Sequence, residues 1–477
     1  MARSQAFPAV AKEVIIPRLA TGSVGRHLRT LALPTAVGFV ALNSYSIADT
    51  YFVGQLGTLP LAAMGFTFPV SFAMVSIGLG VGIGTSSVVA RLLGTGDHGA
   101  VQRITTHALL LGALLGIILL VIGLATIEPV FRALGADERT LPLIRDYMRP
   151  YYLGSVLFIL PMIGNFSLRA TGDARVPAII LSLSAVVNIV LDPLLIFGLW
   201  GLPRLELQGA AIATVVANAV TAAASLVILY RRERLIRGHY VNADRLWNSW
   251  KRLLHVGMPA TATNLLLPVT FAAITAMVAT FGPEAVAGFA VASRVESVVL
   301  IAVFALQSSV GPVVGQNYGA GRIDRVRRAI RLSDRFLLVY ALLFAGVLFM
   351  LARPLVGIFD DNPVVIETAA VYLRIVPFTF GPFGLMMIAV GSFNAMGRPL
   401  PAAILTIVKL FIVYLPLAWS LSQSIGITGI FWANAISHLL LGVAALIWLR
   451  RALRVLEAEG RQAQRPVKVT AVAESNY

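Results

Sequence analysis

Long apolar windows recur from one end of this chain to the other, separated by short stretches richer in arginine, glycine and aspartate. Windows at about 27–51, 61–93, 104–126, 145–168, 175–200 and 208–231 fill the first half. Windows at about 252–281, 284–318, 331–353, 369–394, 400–423 and 427–450 fill the second. Each is long enough to cross the roughly 30 Å hydrocarbon core of a bilayer as a helix. The pattern predicts an all-α polytopic membrane protein of twelve transmembrane helices. Composition agrees: 58% of residues are hydrophobic, 13% are charged, and the mean hydropathy is +0.83. A soluble domain carries roughly 25% charged residues.

The charges orient the spans. Arg3, Lys12, Arg18, Arg26 and Arg29 precede the first, and Arg231, Arg232, Arg234, Arg237, Lys251 and Arg252 follow the sixth. Arg322, Arg325, Arg327 and Arg328 follow the eighth, and Arg450, Arg451 and Arg454 close the last. The turns after the first and seventh spans carry no Lys or Arg. The positive-inside rule then places both termini in the cytoplasm of a bacterial-type inner membrane. The net charge of +16 is this orientation signal plus attraction to anionic lipid, not a nucleic-acid footprint. With no cysteine, disulfides and thiolate metal sites are excluded.

The two halves repeat each other. Leu31-Ala-Leu-Pro34 returns as Val256-Gly-Met-Pro259, and Gly57 as Gly282. Gly94-Thr-Gly-Asp97 returns as Gly319-Ala-Gly-Arg322, and Ala170-Thr-Gly172 as Ala395-Met-Gly397. Each partner lies the same 225 positions on. An even number of spans per unit gives both halves one orientation, so two six-helix lobes should be related by a pseudo-twofold along the membrane normal. The expected organisation is an N-terminal tail (1–26, partly amphipathic), a first lobe (27–231), a cytoplasmic linker (232–251), a second lobe (252–450) and a C-terminal tail (451–477). A cavity between the lobes is sufficient in a monomer.

Acids sit inside this oil. Asp49 lies near the end of the first span, fifteen residues after Pro34, which can bend that helix. In Asn188-Ile-Val-Leu-Asp-Pro193 the amide and the carboxylate are four apart and share a helical face. Pro193 frees a carbonyl near Ile189, and Thr214 adds a hydroxyl from the sixth span. An ionised carboxylate facing lipid costs at least about 2.5–3.5 kcal/mol, so such acids face a cavity and seek a partner. Two carboxylates, an amide and a hydroxyl form a hard-oxygen set suited to a shared proton or to Na⁺. The alternative for Asn188 and Thr214 is hydrogen bonding between helices, worth about 0.6 kcal/mol each. In the second half Ile274 stands where Asp49 does in the first. That half instead holds Arg294, Glu296, Lys409 and His438. A Glu296–Lys409 ion pair and a packed, neutral His438 are expected, with a role in substrate passage as the alternative for Arg294, Glu296 and Lys409. Tyr45, Tyr51, Tyr151, Tyr152 and Phe166 are candidate ring faces for a cationic substrate, or packing residues.

Asp49-Thr-Tyr-Phe-Val-Gly54, Asn188-Ile-Val-Leu-Asp-Pro193, Val314-Gly-Gln-Asn-Tyr-Gly319 and the duplication resemble multidrug and toxic compound extrusion (MATE) transporters over about 27–452. The resemblance implies an antiporter expelling bulky, often cationic and aromatic compounds against H⁺ or Na⁺, with no cofactor. It implies that Asp49, Asn188, Asp192 and Thr214 form the cation site. The second lobe reads Asn264-Leu-Leu-Leu-Pro268 where one branch carries a glutamate, so the chain looks closer to the DinF-like branch. The mechanism implied is competition: a proton or Na⁺ neutralises the Asp49–Asp192 pair, Pro34 bends the first helix, and the drug leaves.

A flippase for lipid-linked precursors is the nearest alternative, but it would want a cavity rich in Arg or Lys. An intramembrane aspartyl protease is disfavoured. Gly94-Thr-Gly-Asp97 reads as a loop, and its repeat partner replaces the acid with Arg322. No zinc motif, Walker loop or Gly-x-Ser-x-Gly elbow occurs.

Overall fold

A computed structural model describes residues 17–236 and 243–463. Parts of the expected tails and linker (1–16, 237–242 and 464–477) lie outside the described residues. Among the described residues the structure is helical throughout, with no strand.

The first lobe consists of α1 (Val24–Gly54), α2 (Thr58–Thr95), α3 (His98–Ala133), the two-part α4 (Thr140–Leu153 then Ser155–Ala170), α5 (Arg175–Phe197) and α6 (Glu206–Arg231). The second consists of α7 (Ala243–Ala279), α8 (Pro283–Gly319), α9 (Ile323–Val356), α10 (Pro363–Ala395), α11 (Pro399–Ile425) and α12 (Ile427–Ala463). Eleven of these are individually long and apolar enough to cross a membrane, and α4, bent by 50°, is the twelfth. The bend falls at Gly154, where Val215 of α6 packs into the space a side chain would fill. In α11 a π-helical stretch, Val408–Tyr414, precedes Pro416, which has no N–H to offer the turn before it. Outward-facing Ile47, Val121, Val339, Leu342 and Met350 are exposed, as the lipid-facing surface of a bundle requires.

The repeated glycines have a physical reason. Gly57 and Gly282 hold φ of 115° and 108°, and Gly172 and Gly397 hold 97° and 75°. These are turn conformations that side chains rarely adopt, so both copies kept glycine. Asp97 caps α3, its Oδ1 accepting the Ala100 N–H at 2.9 Å. A helix cap accounts for the acid of the Gly-x-Gly-Asp stretch.

The lobes meet closely at the end of the bundle that carries the arginine-rich turns. Cβ atoms on Gly94 and Gly319 would collide with the Gln316 and Arg91 carbonyls, so bare backbone is what lets α2 and α8 cross. Gly80 and Gly84 play the same part for α2 against α7, meeting the Gly257 and Leu253 carbonyls. The clasp repeats across the pseudo-twofold. Arg91 of α2 packs against Gly397 of the second lobe; its repeat partner, Gln316 of α8, donates to the Ala170 carbonyl of the first at 2.7 Å. Gln316 also accepts the Leu19 N–H at 3.0 Å, and Arg322 and Arg325 donate to carbonyls of residues 19–22. Part of the positive charge thus ties the N-terminal segment across the lobe junction.

Substituting Gly84→Leu should force α2 and α7 apart. Because the chain lacks cysteine, a Ser308→Cys thiol reports on the result. A membrane-impermeant maleimide added at the arginine-rich face should label Gly84→Leu/Ser308→Cys severalfold faster than Ser308→Cys alone. Equal rates at unchanged helix content would show that the glycine crossing does not close this end.

Candidate functional site: an acid pair beside a large aromatic cavity

Packing of α1 along α5 and of α5 along α6 builds the acid site. Asp49, Asn188, Asp192 and Thr214 are all buried, Asp192 completely. Asn188 donates from Nδ2 to Thr214 Oγ1 at 3.3 Å, which ties α5 to α6. Asp49 lies within electrostatic reach of Asp192. Four oxygens remain without a hydrogen-bond partner: Asp49 Oδ1, Asn188 Oδ1, and both carboxylate oxygens of Asp192. A buried acceptor without a donor costs about 1–3 kcal/mol, and more when charged. This donor set therefore fits a proton or a small hard cation.

Beside it lies a cavity of about 800 Å³ between the lobes, with most of its wall apolar. Tyr45, Tyr151, Phe166, Asn188 and Thr214 line it. Tyr151 stacks on Phe158 at 4.4 Å between ring centroids and on Tyr147 at 5.7 Å, an aromatic column running through the bend of α4. Asn264, in the stretch where the second lobe has no acid, contributes an amide to the opposite wall. Asp49 and Asp192 do not line the cavity. Each sits four residues beyond a lining residue, Asp49 after Tyr45 and Asp192 after Asn188. The acids thus lie one helical turn behind the cavity wall, on the same helices as Tyr45 and Asn188.

Other expected residues lie elsewhere. Tyr51 is 63% exposed on the outer surface and Tyr152 is packed into the first-lobe core beside Gly123. Arg294 is exposed and off the cavity. The Glu296–Lys409 ion pair is not formed among the described residues. Glu296 accepts the Tyr372 hydroxyl at 2.6 Å, while the Lys409 ammonium sits 4.7 Å from the centre of the Phe383 ring. The two side chains stay within electrostatic reach of each other without direct contact. Neither side chain reaches the cavity. His438 is packed, as expected, between Phe383 and the Thr379 hydroxyl. Pro34 lies within α1, where Thr35 hydrogen-bonds back to the Leu31 carbonyl at 2.8 Å.

Arg169 is the residue sequence reasoning missed. The second segment of α4 presents Phe158, Pro161, Met162, Asn165, Phe166 and Arg169 to the cavity, a stripe at helical spacing. Among the described lining residues Arg169 is the one that carries charge. The apolar window ends at about 168, one residue short of this arginine. Its repeat partner, Asn394, also lines the cavity, a correspondence the 225-residue repeat could have exposed.

The MatE family model matches this chain twice, over residues 34–194 and 259–420. The chain belongs to the MATE family. The two matches begin 225 residues apart, the offset of the internal landmarks. A relative from Shewanella oneidensis described as an FAD transporter is 40% identical over 440 residues, 92% of this chain and 97% of its own length. The multidrug export protein MepA of Staphylococcus aureus is 25% identical over 427 residues, 89% of this chain and 93% of its own. The crystal structure of the Vibrio cholerae MATE transporter VcmN in the bent form matches with a TM-score of 0.86. It is 30% identical and covers 91% of this chain and 98% of its own. This MATE protein is accordingly a transporter and not an enzyme.

A fold that gains a proton or cation is stabilised as either becomes more concentrated. The melting midpoint of the detergent-solubilised protein should rise by several degrees as pH falls from 8 to 6, or as Na⁺ is added at pH 8. Asp192→Asn should melt higher than wild type at pH 8 without Na⁺ and lose both responses. Retention of the same responses would place ion uptake elsewhere.

Proposed function

We propose that this MATE transporter is a secondary active antiporter that exports large planar aromatic compounds in exchange for H⁺ or Na⁺. The observation that carries the reading is the set of four unpartnered buried oxygens, that of Asn188 in the wall of a large aromatic cavity and those of the two acids one helical turn behind it. With both termini cytoplasmic in the inner membrane, by the positive-inside rule, the arginine-rich end faces inward. The clasped state is then the one closed to the cytoplasm.

A proton or Na⁺ arriving from outside binds between Asp49 and Asp192, with Asn188 and Thr214 completing its oxygen shell. Binding draws α1 toward α5. Tyr45 and Asn188, one turn away on the same helices, move with them and reshape the cavity wall. Substrate affinity falls and the compound leaves. The coupling requires only that the ion prefer one packing of α1 on α5 and the substrate the other. Pro34 in α1, which removes one backbone hydrogen bond, lowers the cost of that rearrangement.

For the cargo, the 40% identical relative directs attention to flavin adenine dinucleotide, and the 25% identical one to drugs. The lining suits flat aromatic systems of either kind, while Arg169 gives it a place for a negative group that a purely cationic cargo does not use.

In proteoliposomes, an imposed pH or Na⁺ gradient should drive flux of FAD or of a fluorescent aromatic cation, and Asp49→Asn should reduce it at least about tenfold. The gradient that works names the ion. Flux through Asp49→Asn at the wild-type rate would remove the acid pair from the coupling step.

A further inference from the structure

Arg169 is nine-tenths buried in a cavity wall that is otherwise uncharged among the described residues. Its guanidinium lies 4.3 Å from the centre of the Phe166 ring, and Nη1 donates to Ser308 Oγ of the opposite lobe at 2.7 Å. Its Nε is buried and has no partner. No carboxylate forms an ion pair with it among the described residues. A guanidinium removed from water without an anion is costly, and proteins keep such groups where an anion arrives. The planar fork matches the oxygens of a phosphate and binds it through paired charge-assisted hydrogen bonds. Asn394, also on the lining, adds a neutral polar group from the second lobe. The ring face of Phe166 supports both the guanidinium and a stacked aromatic group next to it.

We propose that Arg169 is the anchor for a phosphate or diphosphate group on the transported molecule, whose aromatic portion stacks along the Phe166–Phe158–Tyr151 side of the cavity. This rests on the export reading above and adds the chemistry that selects its cargo. The cavity is then two-ended: acids behind one wall for the coupling ion, and one guanidinium for the anionic cargo. The competing role for Arg169 is a plain latch between lobes through Ser308.

The test compares wild type, Arg169→Lys, Arg169→Gln and Ser308→Ala in proteoliposomes under the working gradient. Three cargoes are followed: FAD, a fluorescent aromatic cation without phosphate, and a fluorescent polyprenyl diphosphate. Arg169→Gln should reduce transport of a diphosphate cargo at least about tenfold, or about 1.4 kcal/mol, and leave the cation within about twofold. Arg169→Lys should recover part of the loss, and Ser308→Ala should change neither cargo more than about twofold. Whether FAD or the lipid is the diphosphate that moves separates a dinucleotide exporter from a flippase. Equal loss of all cargoes in Arg169→Gln and Ser308→Ala would assign Arg169 to the latch and overturn the proposal. So would diphosphate transport unaffected by Arg169→Gln. Binding of ADP to the detergent-purified protein is measured separately. If wild type moves no cargo yet binds ADP in an Arg169-dependent manner, the export reading fails and the anion site stands. ADP binding equal in wild type and Arg169→Gln would overturn the site itself.

Discussion

Two carboxylates, Asp49 and Asp192, are held inside a membrane protein with three of their four oxygens lacking any hydrogen-bond donor. Buried acids without donors are costly in an apolar surround, and that cost falls when a proton or cation is taken up. That constraint organises the first lobe. It goes with the close pairing of α1 with α5 and with the Asn188–Thr214 hydrogen bond that bridges α5 to α6. Each acid shares its helix with a lining residue one turn away, the link through which the proposed ion would act on the cavity.

The opposite end of the molecule is governed by a different requirement. Glycines at 80, 84, 94 and 319 let helices of the two lobes touch backbone to backbone. Side-chain donors at equivalent repeat positions, Arg91 and Gln316, then reach across to the facing lobe. Such a junction packs helix backbones directly on one another and is tied by hydrogen bonds such as Gln316 to the Ala170 carbonyl at 2.7 Å. Packed interfaces switch between discrete arrangements and do not deform continuously, a property the proposed alternating exposure of the cavity would use.

Much of this was legible in the sequence because the strongest signals are local. A twenty-residue apolar window has few alternatives to a membrane helix, and positive-φ glycines such as Gly57 and Gly282 mark repeat boundaries that no other residue fills well. Asp49 and Asp192 stood out because an acid in oil is expensive wherever it points. What could not be read was where those acids sit relative to the cavity wall, since a four-residue step along α1 or α5 decides it. The second-lobe charges were misjudged for the same reason: Glu296 finds Tyr372 and Lys409 finds Phe383 through packing of helices far apart in sequence. Arg169 was hidden by its position at a helix end, where an arginine usually reports topology.

The central claim is that ion and substrate oppose each other through α1 and α5. The direct measurement is the equilibrium affinity of the detergent-purified protein for FAD, read by flavin fluorescence, across a range of pH and of Na⁺ concentration. Linkage requires the effect to be reciprocal. The account predicts that affinity weakens severalfold as H⁺ or Na⁺ rises in wild type, and stays constant in Asp49→Asn/Asp192→Asn. Wild-type affinity that ignores both ions, or a doubly substituted protein that responds as wild type does, would contradict it.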